Sequence, residues 1–184
     1  MDTDDWRDEL LRDRDAKDEF FTTDGHSPLP EAVREAFDGL AYFEPEPALR
    51  FEVPLHEHDE KAPLTVATTT DGEQEYLRWG EFTFEIDGTE QTLQAYKSDP
   101  NQPRLWVPFR DETNGDETYG GGRYLDLEDP HDRVDGTWVL DFNRAYNPTC
   151  VYSELYECPM VPGENWLAVP IEAGEKLPDL TVDG

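Results

Sequence analysis

The chain has 184 residues, enough for one domain with its own hydrophobic core. It carries 44 acidic and 15 basic residues, a formal net charge of −29, and only four of the bases are lysines. Nucleic-acid binding needs basic patches, so this excess of acid excludes a direct nucleic-acid role.

The acidic residues are spread along the whole chain rather than gathered in a tail. At low ionic strength these carboxylates repel one another, and the repulsion destabilises the compact state. In molar salt the Debye length falls to about 3 Å and the repulsion is screened. The composition therefore indicates a salt-adapted protein. The alternative is an acidic protein that binds a basic partner or mimics nucleic acid.

No run of apolar residues is long enough to span a membrane, so no membrane partner is expected. The first residues, MDTDDWRDELLRDRDAKDEFF, are acidic and lack the apolar region of a secretory signal. We therefore expect a cytoplasmic protein, in which the two cysteines need not form a disulfide.

The first 40 residues predict a helical segment, and residues 48–184 predict the body of the same single domain. An apolar stripe near helical spacing predicts a helix over residues 5–21. Ser27 and the prolines of SPLPEAVREAF suit the start of a short second helix.

From residue 48 the apolar residues follow a two-residue period, which is typical of strands. Turn dipeptides such as Asp87-Gly88 and Asp135-Gly136 separate several of the runs, and such pairs favour tight hairpins. We predict a mainly β fold: an antiparallel meander that forms a barrel or a sandwich, with an N-terminal helix and a short second helix. The predicted strands are LRFEVPL, LTVATTT, EYLRW, EFTFEI, TLQAYK, RLWVPF, RYLDL, TWVLDFN and NWLAVPI.

The segments PFRDETNGDETYGGGRYLDL and LDFNRAYNPTCVYSELYECPMVPGENWLAVPIEAGEK form a long, specific pattern. With SPLP, AFDGLAYFEP and TVATTTDGEQEYLRWGEFTFEIDG, they resemble domain-of-unknown-function family 1684, in a halophilic archaeal-type member. The resemblance covers nearly the whole chain. It implies a shared fold and a shared set of polar residues, but no reaction.

Strand alternation places Trp138, Leu140 and Phe142 in the core, with Asp141 and Asn143 together on the opposite face. In GGGRYLDL, Arg123 lies on the leucine face, where a guanidinium needs a partner. We expect Asp141 or Glu164 to be that partner. Either the two residues form a buried ion pair that fixes the register of the strands, or Arg123 binds a carboxylate or phosphate of a substrate.

The three glycines at residues 120–122 are either a nest of amide groups for an anion or a tight start to a strand. Cys150 and Cys158 have seven residues between them, a spacing that matches neither zinc nor redox motifs. We favour two buried thiols over a catalytic Cys150. We interpret His56 and His58, in HEHDE, as residues of a solvated loop, and we expect neither a metal nor another cofactor.

These residues lead to one functional hypothesis and one alternative. The hypothesis is a site for a small anionic molecule at one end of the β body, which acts as a hydrolase or lyase through its carboxylates or binds without chemistry. The alternative is a structural or protein-interaction module, whose polar cluster only stabilises the fold. The candidate catalytic residues are Asp141, Glu164 and Arg123; the candidate ligand-binding residues are Tyr119, Gly121, Gly122, Tyr124, Asn143, Tyr146, Asn147 and Asn165.

Overall fold

The computed structural model describes residues 2–35, 37–129, 131–153 and 157–177. Within these ranges, eight antiparallel strands form two sheets, one with the order β2-β3-β4-β5-β6 and one with the order β1-β8-β7. The mainly β prediction is confirmed, and of its two alternatives the sandwich is the correct one. The strands are β1 Arg50–Val53, β2 His56–Ala67, β3 Glu73–Ile86, β4 Thr89–Lys97, β5 Arg104–Phe109, β6 Arg123–Glu128, β7 Arg133–Val134 and β8 Thr137–Asp141.

Two helices precede the sheets, as predicted. Helix α1 spans Thr3–Thr23, and the carboxylate of Asp2 accepts a hydrogen bond from a backbone N–H of its first turn. Helix α2 is the single turn Glu31–Arg34. Among the described residues, no helix combines the length and the apolar character that crossing a membrane requires.

Two hairpins have the turn chemistry that the sequence predicts. Asp87 and Gly88 have φ values of 51° and 79°, and Asp135 and Gly136 have 48° and 84°. Two successive residues with positive φ form the turn that matches the twist of antiparallel strands. These turns join β3 to β4 and β7 to β8.

The core lies between the two sheets. Phe82, Phe84 and Val107 of the five-stranded sheet pack in one cluster with Leu140 and Phe142 of the other layer. Leu140 and Phe142 are fully buried, as alternation along the predicted strand TWVLDFN requires, although Phe142 lies in the 3₁₀ turn Phe142–Arg144 that follows β8. Phe142 contacts Phe84 and Phe109 at ring-centroid distances of 5.4 and 5.2 Å. Large aromatic side chains thus fill a core in a chain of low apolar content.

Two strand predictions are wrong. Residues 165–171 form no strand: a 3₁₀ turn at Gly163–Asn165 precedes an extended segment whose backbone bonds to the loop after β5, through Arg110 and Glu112. The HEHDE stretch is not a loop but the first part of β2. Its side chains are mostly exposed, and that polar pattern hides a strand from an argument based on apolar alternation.

Candidate functional site

Arg123 is fully buried in β6. Its guanidinium donates to the carbonyls of Ile171 (2.9 Å), Ala173 and Glu175 (3.2 Å), and it pairs with Oδ1 of Asp111 at 3.4 Å. The expected pairing with Asp141 or Glu164 is wrong. Asp111 follows β5, the neighbour of β6, so the register of these two strands brings it to Arg123. These contacts tie β6 to the C-terminal segment and to the loop after β5.

The three glycines pack closely rather than forming an open nest. The φ of Gly122 is +98°, and a Cβ there would lie 2.5 Å from the carbonyl oxygen of Phe109. A Cβ on Gly121 would lie 2.6 Å from the ring of Tyr119. The N–H of Gly122 donates to the Tyr119 carbonyl at 3.1 Å, so it is not free for an anion. This geometry supports the tight start to a strand.

Glu164 and Asn165 lie in the same 3₁₀ turn but do different things. The carboxylate of Glu164 accepts from Nε of Arg78 at 3.1 Å and from the hydroxyl of Tyr96. Asn165 is fully buried; its side chain accepts from the N–H of Gln94 (2.8 Å) and donates to the carbonyls of Gln94 (2.9 Å) and Pro108 (2.7 Å). Asn165 therefore links β4 to β5.

A second cluster of buried polar residues surrounds Glu175. Its carboxylate accepts from Nζ of Lys17, from the N–H of Asn147 at 3.0 Å and from the hydroxyl of Tyr152 at 2.8 Å. The side chain of Asn147 also donates to the Lys176 carbonyl at 3.0 Å. These bonds join α1, the loop after β8 and the C-terminal segment.

The remaining predicted ligand-binding residues also contact protein groups. Asn143 donates to and accepts from the backbone of Glu46, at 2.9 and 2.7 Å, and fixes the chain before β1. The hydroxyl of Tyr124 donates to the carbonyl of Pro159. The hydroxyl of Tyr119 lies 3.9 Å from Sγ of Cys150.

Both cysteines are free thiols. Sγ of Cys158 accepts a hydrogen bond from the N–H of Cys150 at 3.3 Å. Burial and the neighbouring thiol raise the pKa of Cys150 to about 11, so it is protonated and a poor nucleophile at neutral pH. Over the described part of the chain, no three His, Cys, Asp or Glu side chains are grouped as metal ligands would be.

Asp141 is the candidate catalytic residue that lines a cleft. Its Oδ2 accepts from Nε1 of Trp6 at 2.8 Å, and its Oδ1 accepts from the side chain of Asn143 at 2.9 Å. Nε of Arg144 lies 3.8 Å from Oδ2. The trio of Arg123, Asp141 and Glu164 is thus divided among three separate sets of hydrogen bonds.

We call the space beside Asp141 the seam cleft, because it lies where the edge strand β6 meets the three-stranded sheet under α1. Its volume is about 190 Å³. It is lined by Trp6, Glu9, Arg50, Glu52, Leu125, Asp126, Leu127, His131, Asp132, Val134, Val139, Asp141 and Arg144.

Asp126 is the residue of the seam cleft that the sequence argument missed. It is half-buried in β6, and its Oδ2 accepts a hydrogen bond from the hydroxyl of Tyr146 at 2.5 Å. Burial raises the pKa of Asp126, although the bond from Tyr146 and the charge of Arg104 act against the shift. The sequence does contain a signal for Asp126: an aspartate within a predicted strand, on the face opposite the leucines.

Residues 35–176 match the family described as proteins of unknown function, DUF1684. The chain belongs to this family. A solution NMR structure of an uncharacterised protein from the halophilic archaeon Haloarcula marismortui is 40% identical, covers 95% of both chains and gives a TM-score of 0.71. A comparison with curated proteins finds no match. The resemblance to DUF1684 is thus confirmed, and the family description assigns no activity to the cleft.

Proposed function

We propose that this DUF1684 protein binds a small polar molecule in the seam cleft and that Asp126 serves there as an acid–base group. The observation that carries the proposal is a half-buried carboxyl with a raised pKa, held by a tyrosine hydroxyl in a cleft that also contains Asp141. A carboxyl that keeps its proton nearer to neutral pH is a better general acid than an exposed one. Hydrolysis and elimination are the reaction classes that fit.

The charges of the seam cleft define the class of ligand. Five carboxyl groups line it, against two arginines. Arg50 lies 3.9 Å from Glu52, and Arg144 donates to Asp13 at 2.6 Å. Because the arginines already face carboxylates, the cleft disfavours an anion. We infer a neutral or amine-bearing ligand with hydroxyl donors, such as a polyol or a sugar.

The buried polar residues that the sequence singled out fit the structural alternative better. Arg123 and Asn165 are fully buried, and their contacts are with the protein's own backbone and with Asp111. We infer that these residues, with Asn147, stabilise the fold, while binding takes place at the seam cleft.

The first measurement is the carboxyl pKa of Asp126, determined by a ¹³C NMR titration in molar KCl. We expect it above the ordinary value of about 3.9. Because the pKa of Asp126 is higher in the folded than in the unfolded protein, its protonated form stabilises the fold. This contribution is fully present below the unfolded pKa and is lost as the pH rises through the folded pKa. Asp126→Asn should therefore be more stable, relative to the wild-type protein, at pH 7 than at pH 3. A measured pKa of Asp126 at or below about 3.9 contradicts its role as an acid.

The second measurement is saturation-transfer NMR with a set of monosaccharides, sugar alcohols and amino sugars. Binding to the wild-type protein should be lost in Asp126→Asn and kept in Asp116→Asn, since Asp116 is exposed in the β5–β6 loop. If no member of the set binds, or if both variants bind equally, the proposed ligand class is wrong.

A further inference from the structure

A second, larger cleft lies between the two sheets, away from Asp126 and Asp141. We call it the tryptophan cleft, because Trp79 of β3 and Trp138 of β8 line it. Its volume is about 590 Å³. Sites for small molecules typically measure about 300–1,000 Å³ and combine apolar walls with a few polar groups. Leu55, Pro103 and Leu105 supply apolar walls here.

Two cationic side chains, Lys97 and Arg133, line this cleft in a chain that has about three acids for every base. Nζ of Lys97 lies 4.2 Å from the ring centroid of Trp79, and Nζ of Lys61 lies 4.5 Å from it. The guanidinium of Arg133 lies 4.6 Å from the ring of Trp138, and its Nη1 lies 3.8 Å from Oδ2 of Asp129. Two of the four lysines thus lie against one indole, which places two like charges close together.

Within the described part of the chain, Lys97 differs from the other lysines in having no carboxylate as an ion-pair partner. Lys17, Lys61 and Lys176 each have one within 4.0 Å, provided by Glu175, Glu57 and Glu117. Lys97 has none within that distance among the described residues, although Glu57 and Asp129 also line the cleft. Burial lowers the pKa of Lys97, Glu57 acts against this shift, and the charge of Lys61 adds to it. An anion beside Lys97 would relieve both costs.

We propose that the tryptophan cleft binds a small organic anion with an apolar body, whose carboxylate or phosphate pairs with Nζ of Lys97. The apolar body then contacts Leu55, Pro103 and the indole of Trp138. The anionic ligand expected from the sequence thus has its place here, apart from Arg123 and the glycines. The two clefts are separate, and neither proposal depends on the other.

The experiment uses the full chain in molar KCl, with benzoate and phenyl phosphate as probes and benzyl alcohol as the uncharged counterpart. The indole N–H signals of the five tryptophans are followed by ¹H–¹⁵N NMR. At least one of the two anions should shift the Trp79 and Trp138 signals in a saturable manner, and the stronger of the two identifies a carboxylate or a phosphate ligand. Benzyl alcohol should shift them weakly.

The variants separate a site from a general effect of charge. Lys97→Gln should weaken anion binding about tenfold, which corresponds to about 1.4 kcal/mol, and Arg133→Gln should weaken it less, because the guanidinium already faces Asp129. Lys176→Gln is the matched control, because Nζ of Lys176 lies over the ring of Phe43, 5.1 Å from its centroid, outside the cleft. It should bind as the wild-type protein does. Equal binding of benzyl alcohol, an equal loss in Lys176→Gln, or no saturable shift with either anion overturns the proposal.

Discussion

At the scale of single residues, burial follows from the sequence while partners do not. Alternation along β6 places Arg123 among leucines, and the residue is indeed fully buried. Its partner Asp111 lies in a loop with no periodic pattern, so only the register of β5 and β6 brings the two together. The same limit hid the contact of Asp126 with Tyr146, 20 positions away.

Replacement of Arg123 tests whether its group of contacts is structural. Arg123→Ala leaves Asp111 buried without its cation and three carbonyls without a donor. We expect a loss of about 3–5 kcal/mol in the free energy of unfolding, measured by urea denaturation at constant molar KCl. Arg104→Ala is the control: its ion pair with Glu128, at 3.8 Å, is half-exposed, and its loss should cost at most about 1 kcal/mol. Equal stability of the two variants contradicts the structural role.

At the scale of elements, the strands with apolar alternation and Asp-Gly turns are the ones that the sequence predicts. The long strand β3 combines two predicted runs, because a register shift between Arg78 and Gly80 lets the strand continue through its central irregularity. Residues 165–171 alternate as a strand does, yet Pro170 lacks a donor and the neighbouring chain is a loop. Alternation reports burial on one face, not the presence of a pairing partner.

Asn165 is predicted to hold two strands together. The register of β4 and β5 has the single pair Tyr96–Trp106, and the side chain of Asn165 bonds to the backbone of Gln94 and Pro108 on these two strands. Asn165→Ala leaves three buried backbone groups unpaired, and each costs about 1–3 kcal/mol. We expect a loss of more than about 3 kcal/mol and faster amide exchange at the β4–β5 boundary. Asn101→Ala, in an exposed turn, should change neither quantity. A normal exchange rate in Asn165→Ala would show that the strands do not need this link.

At the scale of the whole molecule, the sequence left barrel and sandwich open because closure depends on which edge strands meet. The structure leaves β2 and β6 as the edges of the larger sheet, and the three-stranded layer covers its inner face. Turn residues determine which strands are joined in hairpins, but not how far a sheet coils. The packing of Phe142 against Phe84 and Phe109 is a contact between layers, and no local pattern encodes it.

The net charge of −29 predicts that folding depends on salt. Because there are only 15 bases, most of the 44 acids have no basic residue to pair with, and their mutual repulsion acts over the entire fold. We expect the circular dichroism signal and the melting temperature to fall as KCl is diluted from molar to millimolar concentration, with the steepest change where the Debye length exceeds about 10 Å. Sucrose at matched osmolality is the control, because it favours compact states without screening charge. Should the protein remain fully folded in dilute buffer, or should sucrose replace KCl completely, charge screening would not be what stabilises this fold.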